Sequence, residues 1–291
     1  YRAGPTERRA DLVLLVNGLP LVLIEAKTPV KKCISWVDGA VQVHDDYEKF
    51  VPELFVCNVF SVTTEGKAYH YGSIGLPVKA WGPWHLDGDG EDGQHHPLKS
   101  LKLSAESMLR PHVVLDILGS FTLFATNKKK QRIKIICRYQ QFEAANKIVE
   151  RVLAGYPRKG LIWHFQGSGK SLVMVFAAQK LRMHAGLKNP TVLIVVDRID
   201  LDSQITGTFT GADIPNLEKA DSREKLQQLL AQDVRKIIIT TIFKFGEATG
   251  SLNDRSNIIA LVDEAHRTQE GDLGRKMREA LPNAFLFGLT G

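Results

Sequence analysis

A glycine-rich turn between an apolar run and a helix-compatible segment constrains the fold of this chain more than any other feature. The turn reads Gly167-Ser168-Gly169-Lys170-Ser171. Glycines let backbone N–H groups close around phosphate oxygens, and the start of the following helix adds a favourable dipole. We therefore predict a nucleotide-phosphate loop in which Lys170 contacts the β- and γ-phosphates and Ser171 ligates Mg²⁺.

Short apolar runs alternate with helix-compatible segments throughout the second half of the chain. The runs are residues 160–164, 191–196, 236–241, 258–262 and 284–289. Strands that alternate with helices form a parallel sheet covered on both faces. The second half is therefore predicted to be an α/β domain.

An acidic pair, Asp263-Glu264, directly follows the run 258–262, which ends on the same predicted sheet as the phosphate loop. Asp263 is expected to hold Mg²⁺ through water, and Glu264 to orient or deprotonate the attacking water. ATP and Mg²⁺ are therefore the predicted cofactors of this domain. A solvated acidic loop at a strand end is the other interpretation of the pair.

A second chemical group is predicted near the start of the chain, on the two arms of one hairpin. Asn17-Gly18 is a strong turn signal between two apolar runs. Glu25 and Lys27 are two residues apart on the second arm and therefore face the same side, and Asp11 falls almost opposite Glu25. Two carboxylates beside one lysine can hold Mg²⁺ and activate water against a phosphate ester, with Lys27 positioning the water or stabilising charge. A bare Glu-x-Lys pair also occurs at solvated strand ends.

The second half of the chain resembles superfamily 2 helicases, a class of ATP-driven nucleic-acid motors. Residues 263–266 read Asp-Glu-Ala-His, which is the DEAH-box motif of that superfamily. Further stretches resemble the motifs of that superfamily: 138–142, 195–204, 240–245 and 288–291. The resemblance implies that Gln141 pairs with the adenine edge. A surface helix start is the alternative for Gln141.

The run 9–29 resembles the PD-(D/E)xK nuclease of type I restriction enzyme R subunits, which fuse this nuclease to a superfamily 2 motor in the same order. Residues 162–171 and 262–267 also resemble that family. The implied fold is α/β, with an N-terminal PD-(D/E)xK-type nuclease domain followed by a RecA-like parallel-sheet P-loop motor domain. The expected organisation is a truncated nuclease domain (1–80), a linker with connecting helices (81–130) and the first RecA-like domain (131–291), without the second RecA-like domain.

The resemblance implies a type I site-specific deoxyribonuclease that translocates double-stranded DNA with ATP and cleaves it away from the recognition site. The implied partners are double-stranded DNA and the methyltransferase (M) and specificity (S) subunits. Two alternatives remain: a stand-alone superfamily 2 helicase-nuclease of repair or type III restriction type, and a non-enzymatic DNA-binding scaffold. Intact Lys170, Asp263, Glu264, Glu25 and Lys27 argue against the scaffold.

Two departures from the family pattern concern the nuclease. The family has a Gln-x-x-x-Tyr element after the lysine, whereas Gln42 and Tyr47 are one residue too far apart. Whether these two residues belong to the site therefore stays open. The family also has an acid upstream of Asp11, on a helix that this chain does not contain.

Composition adds few constraints. The chain has 291 residues, 44% of them hydrophobic, which is enough for about two globular domains. A formal net charge of +6 is compatible with nucleic acid but does not establish binding. Three cysteines without metal-site spacing favour a reducing cytoplasm, and no apolar run is long enough to span a bilayer.

Overall fold

The computed structural model describes residues 2–3, 6–85, 97–126, 130–165, 167–196, 214–246, 250–263 and 272–291. The chain divides into two compact units, 1–139 and 140–291, and each is described by itself. The predictions for Glu264 and for residues 197–204 and 265–267 lie outside the described residues.

The first unit contains short strands and helices. Its strands are β1 (Arg2–Ala3), β2 (Thr6–Glu7), β3 (Leu12–Val16), β4 (Leu19–Ala26), β5 (Phe60–Thr64), β6 (Tyr69–Gly72), β7 (Gly82–Pro83), β8 (Thr122–Thr126) and β9 (Arg132–Ile136). Its helices are α1 (Trp36–Val41), a π-helix (Gln42–Tyr47), α2 (Glu48–Phe50), α3 (Pro97–Met108) and α4 (Pro111–Ser120), with 3₁₀ turns at Pro52–Phe55 and Val78–Ala80.

Five of these strands form a mixed sheet in the order β3-β4-β5-β6-β7. Asn17 and Gly18 both have positive φ, 52° and 80°, which matches the two-residue turn that suits the twist of a hairpin. This turn fixes the antiparallel register of β3 and β4, in which Leu12 pairs with Ile24. The predicted hairpin is therefore confirmed.

The connection from β4 to β5 is a helical crossover, because these two strands are parallel. A capping box starts α1: Ser35 Oγ accepts from Val37 N at 3.2 Å, and Asp38 Oδ2 accepts from Ser35 N at 2.7 Å. The helix packs its apolar side on the sheet. The shared core contains Leu23, Ala40, Val43, Tyr47, Phe55 and Trp81.

Residues 81–130, predicted as a linker with connecting helices, contain more regular structure than expected. The expected connecting helices are α3 and α4, which are separated at Leu109 and Arg110. The antiparallel pair formed by β8 and β9 was not predicted from the sequence.

The second unit alternates strands and helices. Its strands are β10 (Lys159–Trp163), β11 (Thr191–Val196), β12 (Leu217–Lys219), β13 (Ile237–Thr241), β14 (Ile258–Val262) and β15 (Phe285–Thr290). Its helices are α5 (Tyr139–Ala154), α6 (Lys170–Met183), α7 (Arg223–Ala231) and α8 (Asp272–Ala280), with 3₁₀ turns at Ala185–Leu187 and Ile242–Phe245.

These six strands form a parallel sheet in the order β10-β15-β14-β11-β13-β12. Every residue of β11, β13, β14 and β15 is buried, as expected for parallel strands with both faces covered. The predicted α/β fold with a parallel-sheet motor domain is therefore confirmed. Within the described ranges, no helix is sufficiently long and apolar to cross a membrane.

Candidate functional sites

The predicted phosphate loop connects the end of β10 to the start of α6. His164 N, at the beginning of the loop, donates to Thr290 O on the neighbouring strand at 2.8 Å. Gly167 and Gly169 have φ of 86° and 83°, a region that side chains with a Cβ rarely adopt. The two glycines therefore give the loop its curvature, and Gly169 precedes the first helical residue, Lys170.

Gln141 lies against this loop and is only 2% exposed. Its amide nitrogen donates to Ser168 O at 3.0 Å, so the side chain is held by the loop backbone. A Cβ added at Gly169 would lie 2.5 Å from the same nitrogen, which shows how closely the two approach. The surface-helix alternative for Gln141 is therefore wrong, whereas its pairing with adenine stays a prediction.

Asp263 follows β14 and is buried, with 5% of its surface exposed, and its backbone N donates to Val195 O at 2.8 Å. One strand, β15, separates β14 from β10. Because strands are spaced about 4.8 Å apart, the ends of β14 and β10 lie roughly 10 Å apart at the carboxyl edge of the sheet. Ligands bind at this edge of open α/β sheets. The sheet thus brings Asp263 and the Lys170-Ser171 pair to one edge.

His164 occupies the position at which the GxxxxGK spacing has its first glycine. Burial, and then the nearby Lys170 ammonium, lower the pKa of His164. The imidazole is therefore neutral at pH 7 and adds no second cation to the loop. Its Nδ1 is buried without a hydrogen-bond partner in the described part of the chain.

The predicted nuclease residues converge at the open end of the β3–β4 hairpin. Asp11 is one residue before the Leu12–Ile24 pair, which places it across from Glu25. Asp11 Oδ2 accepts from Ala26 N at 2.9 Å, and Lys27 Nζ donates to Glu25 Oε1 at 2.8 Å. Glu25 is 2% exposed, so Lys27 supplies the charge that a buried carboxylate requires.

Gln42 and Tyr47 join this group despite their spacing. They are the first and last residues of the π-helix, whose i→i+5 hydrogen bonds accommodate one residue more than an α-helical turn. Lys27 Nζ donates to Gln42 Oε1, and Gln42 Nε2 donates to the Tyr47 hydroxyl. The Tyr47 hydroxyl oxygen lies 3.3 Å from Glu25 Oε2 and 2.8 Å from Arg9 O. The extra residue is therefore no obstacle to a contact between Gln42, Tyr47 and the Glu25–Lys27 pair.

Tyr47 is neutral in this network. Burial, followed by the charge of Glu25, raises the pKa of Tyr47 to about 12. Its hydroxyl is therefore a stable hydrogen-bond donor, and one of its two possible acceptors is a buried carboxylate oxygen.

Sequence reasoning missed the part of this site that comes from β5. The parallel register pairs Glu25 with Thr63, which is fully buried. A Cβ added at Gly39 of α1 would lie 3.2 Å from Thr63 Cβ and 3.6 Å from Glu25 Cγ. Gly39 therefore lets the helix approach these two side chains closely. No local signal could have revealed Thr63, because its partner is 38 residues away in sequence and only the pairing of β4 with β5 brings the two together.

The carboxylate oxygens at this position are ligands of the type that a divalent cation prefers. Within the described residues, no group of three or more His, Cys, Asp or Glu side chains is arranged to hold a metal, so the protein itself offers Asp11 and Glu25. Mg²⁺ usually binds through one or two carboxylates and keeps several waters. Thr63 Oγ1 is buried and has no hydrogen-bond partner among these residues, so it remains available to such a water.

Each half of the chain matches a known protein family. Residues 140–291 match the SWI2/SNF2 ATPase family, and residues 1–75 match the type I restriction enzyme R protein N terminus. The HindI type I restriction enzyme endonuclease subunit of Haemophilus influenzae is 34% identical over 98% of this chain and 30% of that protein. The putative MjaIXP endonuclease subunit of Methanocaldococcus jannaschii is 32% identical over 97% of this chain and 29% of that protein.

This chain therefore spans about three tenths of the length of these curated relatives. Among solved structures, the UvsW helicase from bacteriophage T4 aligns with a TM-score of 0.43 at 18% identity, over 67% of this chain and 70% of that chain. The chain belongs to the SWI2/SNF2 ATPase family, and its first 75 residues match the N-terminal segment of type I restriction enzyme R proteins.

Proposed function

We propose that this chain is part of the R subunit of a type I restriction endonuclease, which translocates double-stranded DNA with ATP and cleaves it away from the recognition site. The observation that carries the proposal is the convergence of Asp11, Glu25 and Lys27 in a segment that matches R protein N termini, on the same chain as a SWI2/SNF2 ATPase segment. The names of the curated relatives, all type I endonuclease subunits, support it.

In the nuclease unit, Asp11 and Glu25 would hold Mg²⁺, which when bound polarises a phosphate oxygen and lowers the pKa of a water. Lys27 is oriented by Glu25 and Gln42 and would position the water or stabilise charge on the phosphate. Tyr47 fixes the second oxygen of Glu25. The burial of Glu25 keeps the carboxylate in one orientation before DNA binds.

In the motor unit, the loop 167–171 would bind the phosphates of ATP. Lys170 would contact the β- and γ-phosphates, and Ser171 and Asp263 would hold Mg²⁺, Asp263 through water. Glu264 would orient or deprotonate the attacking water. The support is the position of Lys170, Ser171 and Asp263 at one edge of a parallel sheet.

The proposed partners are double-stranded DNA and the M and S subunits, and the proposed compartment is the cytoplasm. No feature of the sequence reads bases, which fits a separate specificity subunit.

Reconstitution tests this function against the stand-alone alternative. The complete R subunit is mixed with ATP, Mg²⁺ and unmethylated plasmid DNA, with and without purified M and S subunits. We expect cleavage and DNA-stimulated ATP hydrolysis only when all subunits are present. Cleavage by the R subunit alone would favour a stand-alone helicase-nuclease, and a lack of ATP binding would favour the scaffold.

A further inference from the structure

An acid that the proposed nuclease does not yet use, Glu65, directly follows β5, the strand next to the Glu25–Lys27 pair. Lys27 N donates to Thr64 O at 2.7 Å, which continues the parallel register of β4 and β5 by one step. Glu65 is therefore the neighbour of Lys27, as Thr63 is the neighbour of Glu25. Because side chains alternate along a strand, Thr63 lies on the face that carries Glu25. Glu65 directly follows the end of β5, one residue beyond Thr64.

Thr63 on β5 and Glu65 just after it each present an oxygen that lacks a hydrogen-bond partner in the described part of the chain. Thr63 Oγ1 and Glu65 Oε2 are each buried and form no hydrogen bond with any described residue. No ion pair connects Glu65 to a lysine or arginine in the described ranges either. A buried carboxylate oxygen left without a donor costs more than a neutral polar atom, so such oxygens are usually satisfied by a water or an ion.

A buried oxygen without a partner does not by itself assign a residue to the nuclease site, as Glu48 illustrates. Its Oε1 is also buried without a partner, but its Oε2 accepts from Gly75 N at 2.9 Å, and it lies beyond the π-helix. Glu65 differs because it follows Thr64, whose carbonyl accepts from Lys27 N, and because Thr63, two residues before it, carries a second oxygen without a partner among the described residues.

The spacing suits a contact through water. A displacement of two residues along the chain and one strand across the sheet puts the Cα atoms of Glu25 and Glu65 roughly 8 Å apart. A chain from one carboxylate to Mg²⁺, a coordinated water and a second carboxylate spans about 7 Å, from two Mg–O distances of about 2.1 Å and a hydrogen bond of about 2.7 Å. Within the described residues no group of three acids is arranged to hold a metal directly, so Glu65 would reach the ion through a bound water.

We propose that Glu65 is a positioning residue of the nuclease site, which accepts a hydrogen bond from a water on the divalent cation held by Asp11 and Glu25. Thr63 Oγ1 has the same role for a second water, beside Glu25. This inference rests on the proposed nuclease function. It gives the site a charge of about −3 before Lys27 is counted, which favours a divalent cation over a monovalent one.

Mn²⁺ binding to the complete R subunit without nucleotide, followed by electron paramagnetic resonance, tests the inference without relying on activity. The variants are Glu65→Gln, Glu65→Asp and Glu25→Gln, with Glu53→Gln as a control for an exposed acid of the same unit. Removing a partner of a metal ligand typically lowers metal affinity 10–100-fold. We expect Glu65→Gln to weaken Mn²⁺ binding about tenfold, Glu65→Asp to weaken it less, and Glu53→Gln to leave it unchanged.

Thermal unfolding without metal separates this role from a structural one. We expect an unchanged or slightly higher Tm for Glu65→Gln, because an amide costs less to bury than a carboxylate without a donor. Wild-type Mn²⁺ affinity in Glu65→Gln together with a loss in Glu25→Gln would overturn the inference and leave the nuclease site intact. Wild-type Mn²⁺ affinity and cleavage in Glu25→Gln would instead overturn the proposed nuclease function itself.

Discussion

At the scale of single residues, the proposed nuclease site depends on one buried carboxylate, Glu25, and on three side chains that fix it. Lys27 binds one oxygen, Tyr47 lies against the other, and Gln42 connects Lys27 to Tyr47. The network leaves Glu25 with one orientation in the absence of DNA. Such preorganisation is what makes electrostatic groups effective in catalysis.

Tyr47→Phe tests the role of the hydroxyl. It leaves Gln42 Nε2 and Glu25 Oε2 without a partner, so we expect a loss of stability of about 1–3 kcal/mol and slower cleavage. Because the pKa of Tyr47 is raised to about 12 from 10.0, wild type should lose stability as pH rises from about 10 to 12, where the unfolded chain ionises first.

The variant lacks this part of the pH dependence but should follow wild type between pH 6 and 9. Chemical denaturation across pH measures both effects. A difference in the slopes of stability against pH below 9 would show that Tyr47 titrates earlier than its environment implies.

Gln141→Ala tests nucleotide choice. A glutamine amide can both donate to and accept from the adenine edge, so we expect wild type to prefer ATP over GTP and the variant to lose this preference. The contact with Ser168 O also predicts weaker binding of both nucleotides. Competition of ATP and GTP for the complete subunit measures both effects, with Gln140→Ala as the matched control. An unchanged preference in Gln141→Ala would remove Gln141 from adenine recognition.

At the scale of secondary-structure elements, the π-helix 42–47 explains how an irregular sequence spacing produces a regular contact. In an α-helix, side chains four residues apart share a face, and one inserted residue would rotate Tyr47 away. The wider turn of the π-helix accommodates this additional residue within the segment 42–47. The elements before and after it therefore keep the faces that they present to the sheet.

Deleting Asp45, an exposed residue within the π-helix, should convert the segment to α-helix and keep Gln42 and the tyrosine on one face. We expect near wild-type cleavage and an unchanged or higher Tm. Inserting an alanine after His44 widens the spacing to six and should reduce cleavage strongly. Loss of cleavage on deletion, with the Tm kept, would show that the π-helical geometry itself is needed.

Gly167 and Gly169 give a matched pair within the phosphate loop. Both have positive φ, so replacing either with alanine adds backbone strain of about 1–2 kcal/mol. At Gly169 the new Cβ meets a side chain, Gln141 Nε2 at 2.5 Å, whereas at Gly167 no atom of the described residues lies within 4 Å of it. We expect Gly169→Ala to weaken ATP binding more than Gly167→Ala, as measured by calorimetry. Equal losses would mean that Gln141 moves away freely.

The sequence predicted those parts of the sites that local rules determine. The Asn17-Gly18 turn fixes the register that puts Asp11 across from Glu25, and the glycine-rich loop lies between strand and helix as expected. The π-helix and the pairing of β4 with β5 depend on tertiary packing over 38 residues. Neither the contact of Gln42 with Tyr47 nor the position of Thr63 could therefore be predicted.

At the scale of the whole molecule, each compact unit carries one of the two proposed sites. The unit 1–139 holds the carboxylates and Lys27, and the unit 140–291 holds the phosphate loop and Asp263. We propose that the motor delivers DNA to the nuclease, so cleavage requires the residues of both sites, while ATP hydrolysis does not require the nuclease residues. A substitution can therefore abolish cleavage and leave ATP hydrolysis intact, but a substitution that abolishes ATP hydrolysis should also abolish cleavage.

The most direct test compares Glu25→Gln with Lys170→Ala in the complete R subunit, assembled with M and S subunits, with Glu53→Gln as control. DNA-stimulated phosphate release and plasmid cleavage are measured in the same reaction. We predict that Glu25→Gln hydrolyses ATP like wild type and loses cleavage by about 10²-fold or more, as for other essential electrostatic groups. Lys170→Ala should lose both activities, because the phosphates lose their main cation. Cleavage near the wild-type rate by Glu25→Gln, or by Lys170→Ala without ATP hydrolysis, would contradict the account.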